Sequence, residues 1–242
     1  MATKALTLYS TSIGKKAVMA VSGVIMLGFA VGHLSGNLKA YAGPEEFNEY
    51  SAWLHSIPAL LWGTRLALLF AFTAHIASAF SLWTRNRAAR KSRYQKKVDV
   101  ATDYAAKTMY MTGPILLFYV LFHLAHLTLG GKLFGDAAMF GIEGYTWEDS
   151  NPYNNMVRGF QHWPIVIPYV LGVLALGTHL FHGIWSMFQT FGASHPRYDQ
   201  LRRDLAIGLA ALLTLGFLSL PIAVQAGYLE PTNLTFNFPE LL

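Results

Sequence analysis

The chain has 242 residues, of which 53% are hydrophobic and only 13% charged, and its mean hydropathy is +0.34. A soluble domain of this size carries about twice that charged fraction, which excludes an ordinary water-soluble globular fold and predicts a membrane protein. Cysteine is absent, which excludes disulfides, thiolate metal sites, iron–sulfur ligation and covalent cofactor attachment through Cys-x-x-Cys-His; the net charge of +5 has to be judged by its place relative to a membrane, and no nucleic-acid partner is expected.

The first apolar stretch covers about residues 16–39 and follows Lys15 and Lys16. Its uncharged run from Ala17 to Leu38 is longer than the 7–15 residues of a secretory signal core, so it predicts a span although Ala40-Tyr41-Ala42 follows. A polar connection then carries Glu45, Glu46, Asn48, Glu49, His55 and Ser56. The second stretch, about 59–84, contains Arg65 near its start and His75 in its interior. Arg85, Arg87, Arg90, Lys91, Arg93, Lys96, Lys97 and Lys107 lead into the third, about 108–131, with Thr112-Gly113, His123 and His126. Asp136, Glu143, Glu148 and Asp149 precede the fourth, about 164–191, which holds His179 and His182. Arg197, Arg202 and Arg203 separate it from the fifth, about 205–228, which has no histidine.

Each stretch reaches the roughly 20 helical residues needed to cross a 30 Å hydrocarbon core and is far too long for a barrel strand. Lipid cannot satisfy exposed backbone groups, so the spans are predicted to be helices. The expected fold is all-α: a five-transmembrane-helix bundle forming one membrane domain over residues 1–242, without internal repeat, low-complexity tract or soluble domain. Most Lys and Arg residues, from Lys4 onward, fall on one side and most acidic residues on the other. By the positive-inside rule the N-terminus is cytoplasmic and the C-terminus outside, as in a multi-pass protein of a bacterial cytoplasmic membrane.

Ionisable groups inside spans are costly and point to function. A single membrane histidine is as easily an interhelical hydrogen bond, but six on four of five spans exceed that explanation. Counted from the cytoplasmic ends at about 1.5 Å per residue, His75 and His179 lie roughly 14–18 Å deep, and His33 and His123 roughly 22–26 Å. Two pairs at two depths, about 10 Å apart, match bis-histidine ligation of two b-type haems, each held between neutral imidazoles in an apolar slot. Zinc or di-iron is the competing use of membrane histidines, but bundle di-iron sites need carboxylates and no span carries one. Gly28, Gly32, Gly36 and Gly183 either open room for a flat macrocycle or let helices pack closely. Depth alone leaves His123 against His126, and His179 against His182, undecided.

Gly32-His33-Leu34 with Asn37, His75, Thr112-Gly113 followed by His123, and His179 followed by Gly183-Ile184-Trp185 and Phe191-Gly192 carry a resemblance over nearly the whole chain. It resembles the five-helix, di-haem cytochrome b membrane-anchor subunits of succinate:quinone oxidoreductases, which include succinate dehydrogenases and fumarate reductases. The resemblance implies that His75 and His179 ligate the haem proximal to the iron–sulfur subunit and His33 and His123 the distal one, the motif spacings selecting His123 and His179 within their pairs. It also implies flavoprotein and iron–sulfur partner subunits, lipid contact, and a respiratory function: electrons move between succinate/fumarate chemistry and membrane quinone. The chain has no nucleotide motif for the dicarboxylate half, so it is not expected to act on succinate by itself.

His126, His182 and Arg65 are then possible neighbours of a haem propionate or quinone, with packing or interfacial snorkelling as the competing roles. Glu46, Asn48, His55 and Ser56 form a candidate quinone region near the distal site. Two other classes compete. One is a di-haem anchor of a hydrogenase or formate dehydrogenase; the other is a haem-free transporter using histidines as a proton relay, for which broken helices are expected.

Overall fold

The computed structural model describes residues 8–89 and 104–236, and the described residues form helices and loops with no strand. They build eight α-helices: α1 (Ser12–Asn37), α2 (Pro44–His55), α3 (Pro58–Ala88), α4 (Tyr104–Leu127), α5 (Gly130–Phe134), α6 (Pro152–Phe160), α7 (Trp163–Thr190) and α8 (Asp199–Gln225). Five of these, α1, α3, α4, α7 and α8, are long and apolar enough to cross a membrane. Lys4, Arg90, Lys91, Arg93, Lys96 and Lys97 lie outside the described residues.

Helix ends follow capping chemistry rather than the edges of the apolar runs. The Thr11 hydroxyl accepts the Gly14 amide at 2.9 Å, so α1 begins at Ser12 instead of about 16. Proline opens α2, α3, α6 and α7, where its missing N–H leaves no helix bond unmade. α4 stops at Leu127 instead of about 131, because the chain turns and lays Gly130 and Gly131 against the Trp147 indole, where a side chain would collide with the ring. α7 ends at Thr190 and is followed by Phe191 and Gly192, whose φ of 75° is left-handed and favours glycine. α4, α7 and α8 run unbroken through Pro114, Pro168 and Pro221.

α1 packs along α3, α4 along α7, and α7 along α8, while α1 also touches α7 and α8. Neither α1 with α4 nor α3 with α7 makes an extensive backbone contact, so side chains must bridge those gaps. Outward-facing apolar residues such as Phe70, Phe118 and Leu215 are 76%, 70% and 69% exposed, as lipid-facing side chains would be.

The two ends of the bundle differ. Lys15, Arg85, Arg87, Lys107, Arg197, Arg202 and Arg203 gather at the basic end, where α1 starts and α3 finishes. The opposite end is capped by α2, α5 and α6, and it contains the main buried cluster, including Met156, Val157 and Phe160 of α6, Ile165 and Tyr169 of α7, and Leu220 and Val224 of α8. Spans gain little from burying apolar groups away from lipid, so polar bonds matter more for holding the cap. Asn48 Nδ2 donates to Asn151 Oδ1 at 3.0 Å, and Asn48 Oδ1 accepts the Tyr153 amide at 2.9 Å, tying α2 to α6. Glu148 accepts from Asn151 at 3.0 Å and Asn154 at 2.7 Å and pairs with Arg158 at 2.6 Å.

Candidate functional site

Histidines cross both unpacked gaps. His75 of α3 and His179 of α7 have ring centroids 6.2 Å apart with planes at 54°. His33 of α1 and His123 of α4 lie 5.8 Å apart at 82°. The structure thus brings His33, His75, His123 and His179 together as two pairs.

Hydrogen bonds at Nδ1 define which nitrogen of two of these rings remains available. His75 Nδ1 lies 3.0 Å from the Met19 carbonyl, which can only accept, so the proton sits on Nδ1 and Nε2 keeps its lone pair. The Ser22 hydroxyl donates to the Val18 carbonyl at 2.7 Å and turns its oxygen toward the same Nδ1 at 3.2 Å. His179 Nδ1 lies 3.3 Å from Thr112 Oγ1, which accepts from Nδ1–H when its own proton turns to the Met109 carbonyl at 3.4 Å. Neither Nε2 makes a hydrogen bond among the described residues. His33 is instead held by rings, stacked on Phe29 at 5.2 Å and beside Phe217 at 5.9 Å.

A short repeat, not expected from the sequence, underlies this arrangement. Ser22-Gly23 is followed after ten residues by His33, and Thr112-Gly113 after ten residues by His123. In α1 the hydroxyl meets His75 of the partner helix, and in α4 the hydroxyl meets His179. Eleven residues therefore separate the two levels on both helices, about 16 Å at 1.5 Å per residue. Along the helices this spacing is longer than the offset of about 10 Å expected from the hydropathy edges.

The other expected residues are placed as follows. His126 is fully buried, with Nδ1 2.8 Å from the Tyr169 hydroxyl and Nε2 2.6 Å from the Tyr145 hydroxyl, so both ring nitrogens are engaged within the protein. His182 is half-buried on α7, three residues beyond His179. Arg65 places its guanidinium over the Trp62 ring at 5.0 Å. The candidate quinone residues do not meet: Glu46 pairs with Lys39 at 3.4 Å, His55 Nδ1 donates to the Ser51 carbonyl at 2.8 Å, and the Ser56 hydroxyl donates to the Trp53 carbonyl at 2.7 Å. Asn48 is fully buried in the bonds that join α2 to α6. Of the glycines, Gly36 is a packing residue under Tyr50, whereas a Cβ on Gly28, Gly32 or Gly183 would meet nothing within 4 Å.

Sequence reasoning missed Ser22, Tyr169 and Tyr145. The Ser22-Gly23 and Thr112-Gly113 repeat signals the first. Tyrosines near span ends read as interfacial belt residues, which hides a tyrosine that turns inward.

The donor set fits a haem better than a bare metal ion. No group of three or more His, Cys, Asp or Glu side chains gathers among the described residues, so neither pair fills a four-coordinate zinc site. A haem brings four in-plane nitrogens and needs only two axial donors. His75 with His179, at 6.2 Å, and His33 with His123, at 5.8 Å, are the two pairs of imidazole donors that would each hold one haem. Anchoring Nδ1–H on a carbonyl or hydroxyl is the usual support of a metal-ligating histidine. Comparison of the chain with protein-family models, curated proteins and solved structures finds no match.

Proposed function

We propose that this chain is the di-haem cytochrome b membrane anchor of a succinate:quinone oxidoreductase, carrying electrons between an iron–sulfur subunit and membrane quinone. The observation that carries the reading is the pair of histidine contacts at 6.2 and 5.8 Å, each across a gap where helix backbones do not pack. Haem supplies one-electron redox chemistry when bound. His75 and His179 would hold the haem nearer the basic end, and His33 and His123 the one nearer the cap. The Met19 carbonyl and Thr112 hydroxyl would orient His75 and His179.

The proposed orientation places the N-terminus in the cytoplasm of a bacterium and the C-terminus outside, because the basic end faces inward. The iron–sulfur and flavoprotein subunits dock at that end, and the flavoprotein acts on the dicarboxylate. Quinone reacts toward the cap, where Glu46, His55 and Ser56 retain some solvent exposure while Asn48 serves the fold. Uninterrupted α4, α7 and α8 argue against the transporter alternative, whose sites are built from broken helices.

Difference spectra on membranes containing the assembled complex test this reading. Dithionite should reduce b-type bands, and succinate should reduce a large part of them while hydrogen or formate does not. Bands that respond to hydrogen or formate instead would assign the chain to another respiratory complex.

A further inference from the structure

We propose that His126 is a positioning residue at the centre of a one-way hydrogen-bond relay that holds His123 as its Nδ1–H tautomer and leaves its Nε2 lone pair available. The relay follows from counting protons backward from one carbonyl. The Tyr145 hydroxyl lies 2.8 Å from the Asn155 carbonyl, which can only accept, so Tyr145 spends its single proton there. His126 Nε2, 2.6 Å from the same hydroxyl oxygen, must therefore be the donor. A neutral imidazole has one N–H, so His126 Nδ1 is an acceptor and receives the Tyr169 proton at 2.8 Å. Tyr169 has then no proton left for His123, and at 3.2 Å its oxygen accepts from His123 Nδ1–H. A second proton on His126 would make a fully buried cation whose ring nitrogens meet only tyrosine hydroxyls.

The surroundings preserve this polarity. Tyr145 and His126 are fully buried and Tyr169 is 5% exposed, so water does not compete for the bonds. A side chain at Gly159 would overlap the His126 ring and the Tyr145 hydroxyl, so glycine there permits the close approach. Each donor in the chain is polarised by the next, which makes Tyr169 oxygen a better acceptor and His123 a more basic ligand. His123 is the member that faces His33, and His126 acts through it.

This rests on the proposed haem reading only for its redox consequence, and the test separates the two. Nitrogen-15 histidine spectra of the full chain in nanodiscs should show His126 protonated at Nε2 and bare at Nδ1, with or without haem. In potentiometric titrations of haem-loaded protein, Tyr169→Phe and His126→Leu should each raise the potential of one haem component and leave the other unchanged. They should also weaken haem retention at that pair by about tenfold to a hundredfold. His126→Gln, whose amide keeps one acceptor and one donor, should restore the wild-type potential. A His126 protonated at Nδ1 in the wild type, or unchanged potentials in Tyr169→Phe, overturns the relay. A chain that keeps the expected tautomer but binds no haem supports the relay and overturns the function proposed above.

Discussion

The two histidine pairs sit in one bundle but are supported in different ways. At the level nearer the basic end, His75 is anchored directly on a backbone carbonyl of the neighbouring helix, and His179 on a threonine hydroxyl. Nearer the cap, His33 leans on Phe29 and Phe217, while His123 is tied through Tyr169 of α7 to His126 of α4 and Tyr145 of the loop before α6. The first level is local, built from the spans themselves. The second depends on the cap, because Tyr145 and the Asn155 carbonyl that end its hydrogen bonds belong to the segment between α5 and α7. Damage to the cap should therefore reach one pair and spare the other.

The sharpest way to break the comparison is to remove a ligand from one level. His75→Ala or His179→Ala should eliminate one of two haems while the capped-end pair keeps its own, and His33→Ala should do the reverse, as read by haem per chain. His126→Ala should still bind both haems, the one at His33 and His123 about tenfold to a hundredfold more weakly, and destabilise the protein by about 3–5 kcal/mol, since it leaves a cavity and deprives two buried tyrosine hydroxyls of a partner. Loss of a haem in His126→Ala but not in His123→Ala would reverse the assignment within α4. Asn48→Ala should cost about 1–3 kcal/mol, with faster hydrogen exchange confined to α2 and α6. Thr112→Val should weaken haem binding at the other level by about tenfold, the low end for loss of an outer hydrogen bond, because this contact is long and neutral.

The smallest expected effect is on pH. Burial pushes the Tyr145 hydroxyl above its ordinary range. A raised folded value means the neutral form is the one the fold stabilises, so its contribution is complete below the unfolded value of about 10 and is lost as pH rises through the folded value. Thermal stability of the capped end should therefore be unaffected by this group up to about pH 9 and decline above about pH 10.

Much of the fold was legible because lipid imposes a simple pattern: long apolar runs that must be helices. The bounds were less legible, since Thr11 capping and the Gly130-Gly131 contact with Trp147 decide where helices stop, and neither changes hydropathy. α2 and α6 were invisible to a search for spans because they are short and lie in polar connections. At the site, helix order and depth suffice to pair α3 with α7 and α1 with α4, whereas the choice of His123 over His126 and of His179 over His182 comes only from the motif spacings of the resemblance. The roles of His126 and Asn48 depend on Tyr145, Tyr169, Asn151 and Tyr153, which come from distant parts of the chain and meet only after folding.

The central claim is that each pair of histidines holds one haem. A pyridine haemochrome assay on the purified full chain measures this directly. Two b-type haems per chain are expected; a chain purified intact and folded with none would contradict the account.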